Sequence, residues 1–368
     1  MTSPQATGPE HLHALTGIRG LAAWFVVLYH IRLSLTALLP DWSIAVLAKG
    51  YLAVDLFFML SGFVLWYNYA GRFREHGLFF AGPFMWRRIA RVWPLHAIVL
   101  LAMVAFAAVQ VWIGRGNPAF PFAELPLHFL LVQNWGFTRL LAWNDPAWSI
   151  STELGAYVVF PLAVCAVRWH RVPAAAIVAL GAALLLALYH IFAINGHDRL
   201  GQDIPRLGPA RCFIEFALGN LLCLLWQRWR DFPHTAVLAS FACAAAIASG
   251  VLLRLPETAF VPAALAAGLL ALAFDRGRIS RGLGGGFILY LGKISYSTYL
   301  AHFFAFILFK LLFVDTTMQI GWAGLAGFLA LMFAVSAGLY HGVEKPAQRW
   351  LNRHPPRWPP RARLAAAD

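Results

Sequence analysis

Four residues capable of acid–base chemistry lie inside long apolar runs of the chain: His30, Asp55, Glu153 and His302. An ionisable side chain in hydrocarbon costs about 2.5–3.5 kcal/mol on insertion scales, so such residues usually serve a function and face the interior of a helix bundle. Imidazole can take a proton from a hydroxyl group near neutral pH. A carboxylate bonded to its second nitrogen would fix the tautomer and stabilise the imidazolium. Asp55 and Glu153 are both candidates for that carboxylate, and the sequence does not decide which of them, if either, contacts His30.

Arg19 precedes His30 by eleven residues in the first apolar run. Eleven residues are close to three helical turns, or about 16 Å at 1.5 Å per residue, so both side chains point the same way. One helix face therefore presents a cation near one end and an imidazole further along. A snorkelling arginine and a histidine bonded to a neighbouring helix would have the same spacing, so this pattern alone leaves both interpretations open.

Two further arginines, Arg88 and Arg91, lie three residues apart in the segment FMWRRIARVWP, on one helical face at a membrane boundary. Planar guanidinium groups bind phosphate in a bidentate manner. Together with Arg19, these residues could hold an anionic cofactor. The alternative is an anchor that binds lipid headgroups on the cytoplasmic side.

The composition identifies the kind of protein that carries these residues. The chain has 368 residues, of which 60% are hydrophobic and only 12% are charged, whereas a soluble protein has about 25% charged residues. The formal net charge of +13 would suggest a nucleic-acid partner in a soluble protein. Here the basic residues lie mostly in short loops between apolar runs, so we expect membrane lipids and no nucleic acid as partners. The four cysteines form no CxxC pair, so we expect no metal.

A membrane-spanning helix needs about 20 mostly apolar residues. We predict an all-α polytopic membrane protein with about ten transmembrane helices. They cover residues 15–37, 51–70, 92–113, 147–167, 173–194, 212–227, 234–253, 257–274, 287–313 and 321–343. A transmembrane domain would extend over 1–350, followed by a basic, Pro-rich cytoplasmic tail over 351–368.

The loops between these runs alternate in basic content, as expected for a chain that crosses the membrane repeatedly. The 71–91 loop contains five arginines, and the later loops on the same side are also arginine-rich. Cytoplasmic loops are the ones enriched in Lys and Arg, so both termini are predicted to be cytoplasmic. With this orientation, His30, Asp55, Glu153 and His302 all fall in the outer half of the membrane, which suggests a shared polar site.

Six motifs, in order between about residues 15 and 350, resemble the acyltransferase 3 family of membrane acyltransferases. They are LTGIRGLAAWFVVLYH, YLAVDLFFMLSGFVL, RRIARVWP, PAWSISTELGAYVVFP, LGKISYSTYLAHF and VEKPAQRW. Each motif alone is weak, but six in the family's order are specific. Two positions depart mildly from the family pattern, Ala301 and Leu154.

The resemblance implies an acyl-CoA donor, most simply acetyl-CoA, used at the cytoplasmic face, and an acceptor modified outside. By this resemblance His30 corresponds to the family's essential histidine and Arg19 to its paired arginine. Arg88 and Arg91 correspond to arginines proposed to contact CoA. Glu153 and three residues that we assign to substrate binding fall on recurring motif positions: Tyr157, Tyr296 and His302.

The leading hypothesis is therefore O-acylation of a glycan, lipid-linked sugar or similar hydroxyl compound by a multi-pass protein of the cell inner (plasma) membrane. His30 would be the general base, assisted by Asp55 or Glu153. The second hypothesis is a secondary transporter or exporter that uses the same polar layer, and the third is a non-catalytic scaffold. The sequence leaves a homodimer, the acyl chain and the acceptor open.

Overall fold

Fourteen α-helices build the computed structural model, which describes residues 11–314 and 317–356 and shows no β-strand among them. The helices are α1 (His11–Ile31), α2 (Asp41–Leu47), α3 (Ala53–His76), α4 (Ala81–Trp112), α5 (Leu125–Phe129), α6 (Ala147–Ala166), α7 (Ala174–Ile194), α8 (Ile204–Trp229), α9 (Thr235–Leu252), α10 (Glu257–Phe274), α11 (Arg278–Leu283), α12 (Gly286–Phe313), α13 (Trp322–Leu339) and α14 (Lys345–Arg353). Residues 357–368 of the predicted tail lie outside the described residues.

Nine stretches of the described chain are long and apolar enough to cross a membrane. One of them, Asp41–Trp112, contains two separate long helices, α3 and α4. The all-α polytopic prediction is therefore confirmed, and each of the ten predicted spans overlaps one long helix. The cytoplasmic location of both termini stays a prediction.

The segment predicted as the 71–91 loop is mostly helical. α3 continues to His76, α4 begins at Ala81, and only the short 3₁₀ turn Gly77–Phe80 separates them. The 32 residues of α4 are about 48 Å long at 1.5 Å per residue, which exceeds the hydrocarbon thickness of about 30 Å. The helix is therefore longer than one crossing of the hydrocarbon requires, and its arginine-rich first turns are part of the helix.

Contacts between helix ends support the alternating direction of the helices. At the end of the bundle that carries the 71–91 arginines, named the inner side, Trp86 in α4 donates to the Leu351 carbonyl in α14 over 3.0 Å, and Trp226 in α8 donates to the Ala273 carbonyl in α10 over 2.9 Å. At the opposite end of the bundle, named the outer side, the Ile320 amide before α13 donates to the Ser34 carbonyl after α1 over 3.0 Å.

Glycines let two helix pairs approach closely. A Cβ atom on Gly62 of α3 would lie 2.0 Å from the Phe216 carbonyl oxygen of α8, and one on Gly219 of α8 would lie 2.0 Å from the Met59 carbonyl oxygen. In the same way, a Cβ on Gly292 of α12 would lie 2.0 Å from the Thr16 carbonyl oxygen of α1. Small residues allow such backbone contact between membrane helices. The α1–α12 contact brings the helices that carry His30 and His302 together.

The perimeter of the helix bundle is apolar, as a surface that faces lipid must be. Large side chains project from it, such as Trp112 at 86% exposure and Leu252 at 79%. The interior around α3, α6 and α8 contains the main cluster of buried apolar side chains. The polar residues described below lie within this otherwise apolar interior.

Candidate active site

His30 and His302 form a histidine pair in the bundle interior. Nε2 of His302 lies 3.1 Å from Nδ1 of His30, and the ring centroids are 4.8 Å apart. His302 is 1% exposed. The close α1–α12 packing therefore creates a direct contact between a residue predicted to be catalytic and one predicted to bind substrate.

The hydrogen bonds of the pair determine which nitrogen can act as a base. Nδ1 of His302 lies 2.5 Å from the Tyr299 carbonyl oxygen, which only accepts, so this nitrogen carries the proton. In the neutral ring, Nε2 of His302 is then an acceptor, and Nδ1 of His30 must donate to it. Nδ1 of His30 also lies 3.2 Å from the Val26 carbonyl oxygen, which requires the same proton position. The unprotonated nitrogen of the pair is therefore Nε2 of His30.

The structure gives Asp55 a different partner. Its carboxylate receives two hydrogen bonds from Arg211 of α8, one of them 2.6 Å from Nε. Asp55 is 0% exposed and Arg211 is 1% exposed. Arg211 also donates to the Leu200 carbonyl over 3.0 Å. The hydrogen bonds found for His30 in the described part of the chain go to Val26 and His302, so Asp55 forms a buried ion pair instead of supporting His30.

Glu153 lies on α6 in a separate polar group. Its carboxyl group is within hydrogen-bonding reach of the Ser61 and Tyr157 hydroxyls, which themselves are 3.4 Å apart. Arg19 and Arg88 are close enough to interact with it electrostatically. Glu153 is thus on the arginine side of the bundle, together with the predicted cofactor-binding residues.

An inner cavity of about 420 Å³ connects these groups. Six of the nine residues predicted for the site line it: Arg19, Arg88, Arg91, Glu153, Tyr157 and Tyr296. Its wall also includes Ser149 and Tyr299, whose hydroxyls are 2.8 Å apart. The Tyr299 ring centroid lies 5.8 Å from that of His302. The cavity therefore extends from the arginines to a tyrosine in contact with the histidine pair.

The entrance to the inner cavity is rich in arginine. An adjoining space of about 350 Å³ shares Asn68 and Arg88 with it and is also lined by Arg72 and Arg87. Arg88 donates from Nη2 to the Tyr69 hydroxyl over 2.8 Å. Arg72 Nη1 and Arg88 Nε are buried and have no hydrogen-bond partner among residues 11–314 and 317–356. These N–H groups are available to an anionic ligand, which the arginine fork suits.

The other two predicted cofactor-binding arginines are held by protein groups. Arg19 donates to the Ser295 hydroxyl and to the Gly292 carbonyl, each over 3.0 Å. Arg91 forms an ion pair with buried Glu344, and its guanidinium carbon lies 5.5 Å from the Tyr296 ring centroid. Arg88 is therefore the predicted arginine best placed to meet a ligand at the entrance.

Glu344 ends a π-helical turn, Tyr340–Glu344, between α13 and α14. Its carboxylate accepts a hydrogen bond of 2.6 Å from the Ser297 hydroxyl of α12 as well as the Arg91 contact. Single π-helical turns within α-helices are frequent at functional sites. Here the turn directs an acidic side chain into the bundle, where it fixes Arg91 at the cavity wall.

A family model described as an acyltransferase domain matches residues 12–341, which include all the residues of the cavity and the histidine pair. The chain belongs to the acyltransferase 3 family. The resemblance of the six motifs is therefore confirmed over nearly the whole chain. The protein is accordingly a multi-pass membrane acyltransferase.

Relatives of this acyltransferase 3 protein carry matching names. Acyltransferase MdmB of Streptomyces mycarofaciens is 29% identical over 94% of this chain and 94% of its own length. BcsY of Komagataeibacter xylinus, provisionally named a membrane-bound transacylase, is 27% identical over 93% of this chain and 84% of its own length. A provisionally named O-acetyltransferase of Staphylococcus aureus (strain COL) is 22% identical over 60% of this chain and 36% of its own length. No solved structure matches.

Several site residues of this acyltransferase 3 protein were missed by the sequence argument. Glu344 lies in the motif VEKPAQRW and Ser61 in the motif YLAVDLFFMLSGFVL, and both motifs supported only the family resemblance. Arg72 and Arg87 were counted only as charges of the 71–91 loop. Their position in the same arginine-rich segment as Arg88 could have indicated a shared anion site. Tyr299 had no signal beyond its motif. No group of three or more His, Cys, Asp or Glu residues suited to a metal occurs in the described part of the chain.

Proposed function

We propose that this protein, in the cell inner (plasma) membrane, transfers an acyl group from cytoplasmic acyl-CoA to a hydroxyl of an extracytoplasmic glycan or similar acceptor. Acetyl is the simplest acyl group, and acetyl-CoA is then the donor. The observation that carries the proposal is the inner cavity, which extends from an arginine-lined entrance to Tyr299 beside the histidine pair. An acyl-CoA donor fits this arrangement, because its anionic head would lie at the arginines and its long thioester arm would extend along the cavity toward Tyr299.

The entrance arginines would hold the CoA phosphates. Arg72, Arg87 and Arg88 line one space, and neither Glu153 nor Glu344 is among the residues that line it. Phosphate favours such a site because guanidinium groups provide bidentate donors. Tyr157 and Tyr296 line the adjoining cavity and would contact the thioester arm, consistent with their predicted role in substrate binding.

His30 would act as the general base through Nε2. In the direct mechanism, Nε2 takes the proton of the acceptor hydroxyl while that oxygen attacks the thioester carbonyl carbon. The tetrahedral intermediate collapses with cleavage of the C–S bond, and the imidazolium returns the proton to the departing CoA thiolate. The products are an ester and free CoA. Tyr299 lines the inner cavity and contacts His302, so the thioester would approach His30 past this side chain.

His302 would be a positioning residue for His30, in the place where the sequence argument put a carboxylate. Its Nε2 accepts the Nδ1 proton of His30 and so holds the tautomer that leaves Nε2 basic. A neutral imidazole stabilises the imidazolium less than a carboxylate does, because it has no negative charge. Glu153 would instead balance the arginines around the donor.

Replacement of Arg88 by alanine is expected to weaken acetyl-CoA use. One or two charge-assisted hydrogen bonds are worth about 1.5–3 kcal/mol each, so we expect the KM for acetyl-CoA to rise about tenfold or more, with a smaller change in kcat. Labelled acetyl transfer in membrane vesicles would measure both values. The matched control is Arg74→Ala, since Arg74 is an exposed arginine on α3 that does not line the entrance.

An unchanged KM in a well-folded Arg88→Ala protein would remove the entrance from the donor site. Direct binding of CoA to the purified protein tests the broader proposal. A secondary transporter, the other candidate function, needs no CoA, so absence of CoA binding to wild type would favour that function over acyl transfer.

Replacement of His302 by leucine is expected to lower kcat at least about tenfold, because His30 then keeps only the Val26 carbonyl, 3.2 Å away, as acceptor for its Nδ1 proton and its ring is oriented less well. The KM for acetyl-CoA should stay near the wild-type value. His302→Asn, whose amide oxygen can accept the same proton, should recover part of the activity. A loss of activity that His302→Leu and His302→Asn share equally, with a raised KM for the acceptor, would make His302 a substrate-binding residue instead.

A further inference from the structure

A second cavity lies on the outer side of the bundle, opposite the arginine-lined entrance. It has a volume of about 410 Å³ and is lined by the outer halves of α4 and α12 and by the loop before α6. Aromatic side chains form much of its wall, including Phe106, Phe120, Trp143 and Phe303. None of these residues belongs to the inner cavity.

Two buried oxygen atoms in this outer pocket have no hydrogen-bond partner in the described part of the chain: Asp145 Oδ1 and Gln110 Oε1. They approach the pocket from different elements, since Gln110 is on α4 and Asp145 precedes α6. Burial raises the pKa of Asp145 to about 6, so the group is mainly ionised at neutral pH although burial disfavours its charge. Buried acceptors without donors are rare in folded proteins because each one is costly.

The chemistry of these atoms selects the ligand. A carboxylate and an amide oxygen accept hydrogen bonds, so they require a ligand that donates, as hydroxyl groups do. Among the described residues that line the pocket, Lys310 carries a positive charge and Asp145 a negative one, and Lys310 lies 4.5 Å from the Phe306 ring centroid. The mixed charge gives no preference for an anion. Aromatic walls with a few polar groups are typical of small-molecule sites.

The outer pocket is adjacent to the proposed base. Phe303 lines the pocket, and its ring centroid is 5.7 Å from that of His30. The histidine pair therefore contacts Tyr299 of the inner cavity through His302 and Phe303 of the outer pocket through His30. Phe303 is therefore a residue shared by the outer pocket wall and the surroundings of the His30 ring.

We propose that the outer pocket binds the acceptor as an uncharged sugar ring, with Asp145 and Gln110 accepting hydrogen bonds from two of its hydroxyls and Phe303 separating a third from His30. This inference rests on the proposed function for its catalytic meaning. Binding of the sugar itself does not depend on the donor, so the two can be tested separately.

Saturation-transfer NMR can measure the binding directly, with the full-length protein in a detergent that contains no sugar. The probe is methyl α-D-glucopyranoside, and tetrahydropyran serves as the same ring without hydroxyls. We expect the glucoside to bind to wild type, tetrahydropyran to bind much more weakly, and Asp145→Ala or Gln110→Leu to weaken glucoside binding about tenfold. Asp198→Asn is the matched control, because Asp198 is an exposed residue of an outer loop that does not line the pocket.

Three outcomes would overturn the inference: no glucoside binding to wild type, equal binding of tetrahydropyran, or full glucoside binding by both pocket variants. Thermal unfolding in the same detergent, measured on the same samples, verifies that each variant is folded. If wild type binds the glucoside but neither binds nor turns over acetyl-CoA, the sugar site stands and the proposed function fails. If wild type transfers acetyl groups but does not bind the glucoside, the proposed function stands and the sugar site fails.

Discussion

Replacement of His30 by alanine is expected to reduce acyl transfer by about 10²- to 10⁴-fold, the usual contribution of a general base. This corresponds to about 2.7–5.5 kcal/mol of transition-state stabilisation. Donor affinity should be unchanged, because His30 does not line the inner cavity. Transfer of label from acetyl-CoA in membranes gives the rate, and CoA binding gives the donor affinity.

The control for this experiment is His190→Ala. His190 is also a histidine on a membrane helix, α7, but it is exposed at the bundle surface. Removing it should leave transfer intact. Full activity of a well-folded His30→Ala protein would exclude His30 from the mechanism, and with it the interpretation of the histidine pair as the catalytic centre.

Breaking the Asp55–Arg211 pair is expected to destabilise the fold strongly. Removing one partner of a buried ion pair costs about 3–5 kcal/mol, because the other charge stays buried without compensation. Arg211→Leu should be more damaging than Asp55→Leu, since a second buried carboxyl, Glu215, lies beside the pair and interacts with both residues. Thermal unfolding of the protein in detergent measures the effect.

A double variant, Asp55→Leu with Arg211→Leu, should be less destabilised than the sum of the two single variants, because it leaves neither ion of the pair unpaired. Asp41→Asn, an exposed residue in the first turn of α2, is the control. The opposite result is equally informative. An Asp55→Leu protein with wild-type stability but no acyl transfer would indicate that Asp55 has a catalytic role, as the sequence analysis predicted.

The sequence by itself determined the membrane class, the number of long helices and the family. These properties are local, because about 20 apolar residues form a span wherever they occur and motifs keep their order along the chain. Helical periodicity also predicted that Arg19 and His30 lie on one face of α1, and in the structure both side chains contact α12. The 71–91 segment was misassigned because its arginines lower the hydropathy, although the helices continue beyond the hydrocarbon.

Only the tertiary structure decided which residues meet. The position of a residue along its own helix follows from counting residues. The residue that it contacts on a neighbouring helix depends on which helices pack together and how closely. The backbone contact of Gly292 with Thr16 brings His302 close to His30. The contact of Gly62 with Phe216 packs α3 against α8, where Arg211 forms an ion pair with Asp55. These pairings join residues 272 and 156 positions apart. No local pattern specifies such contacts, because they depend on the packing of whole helices.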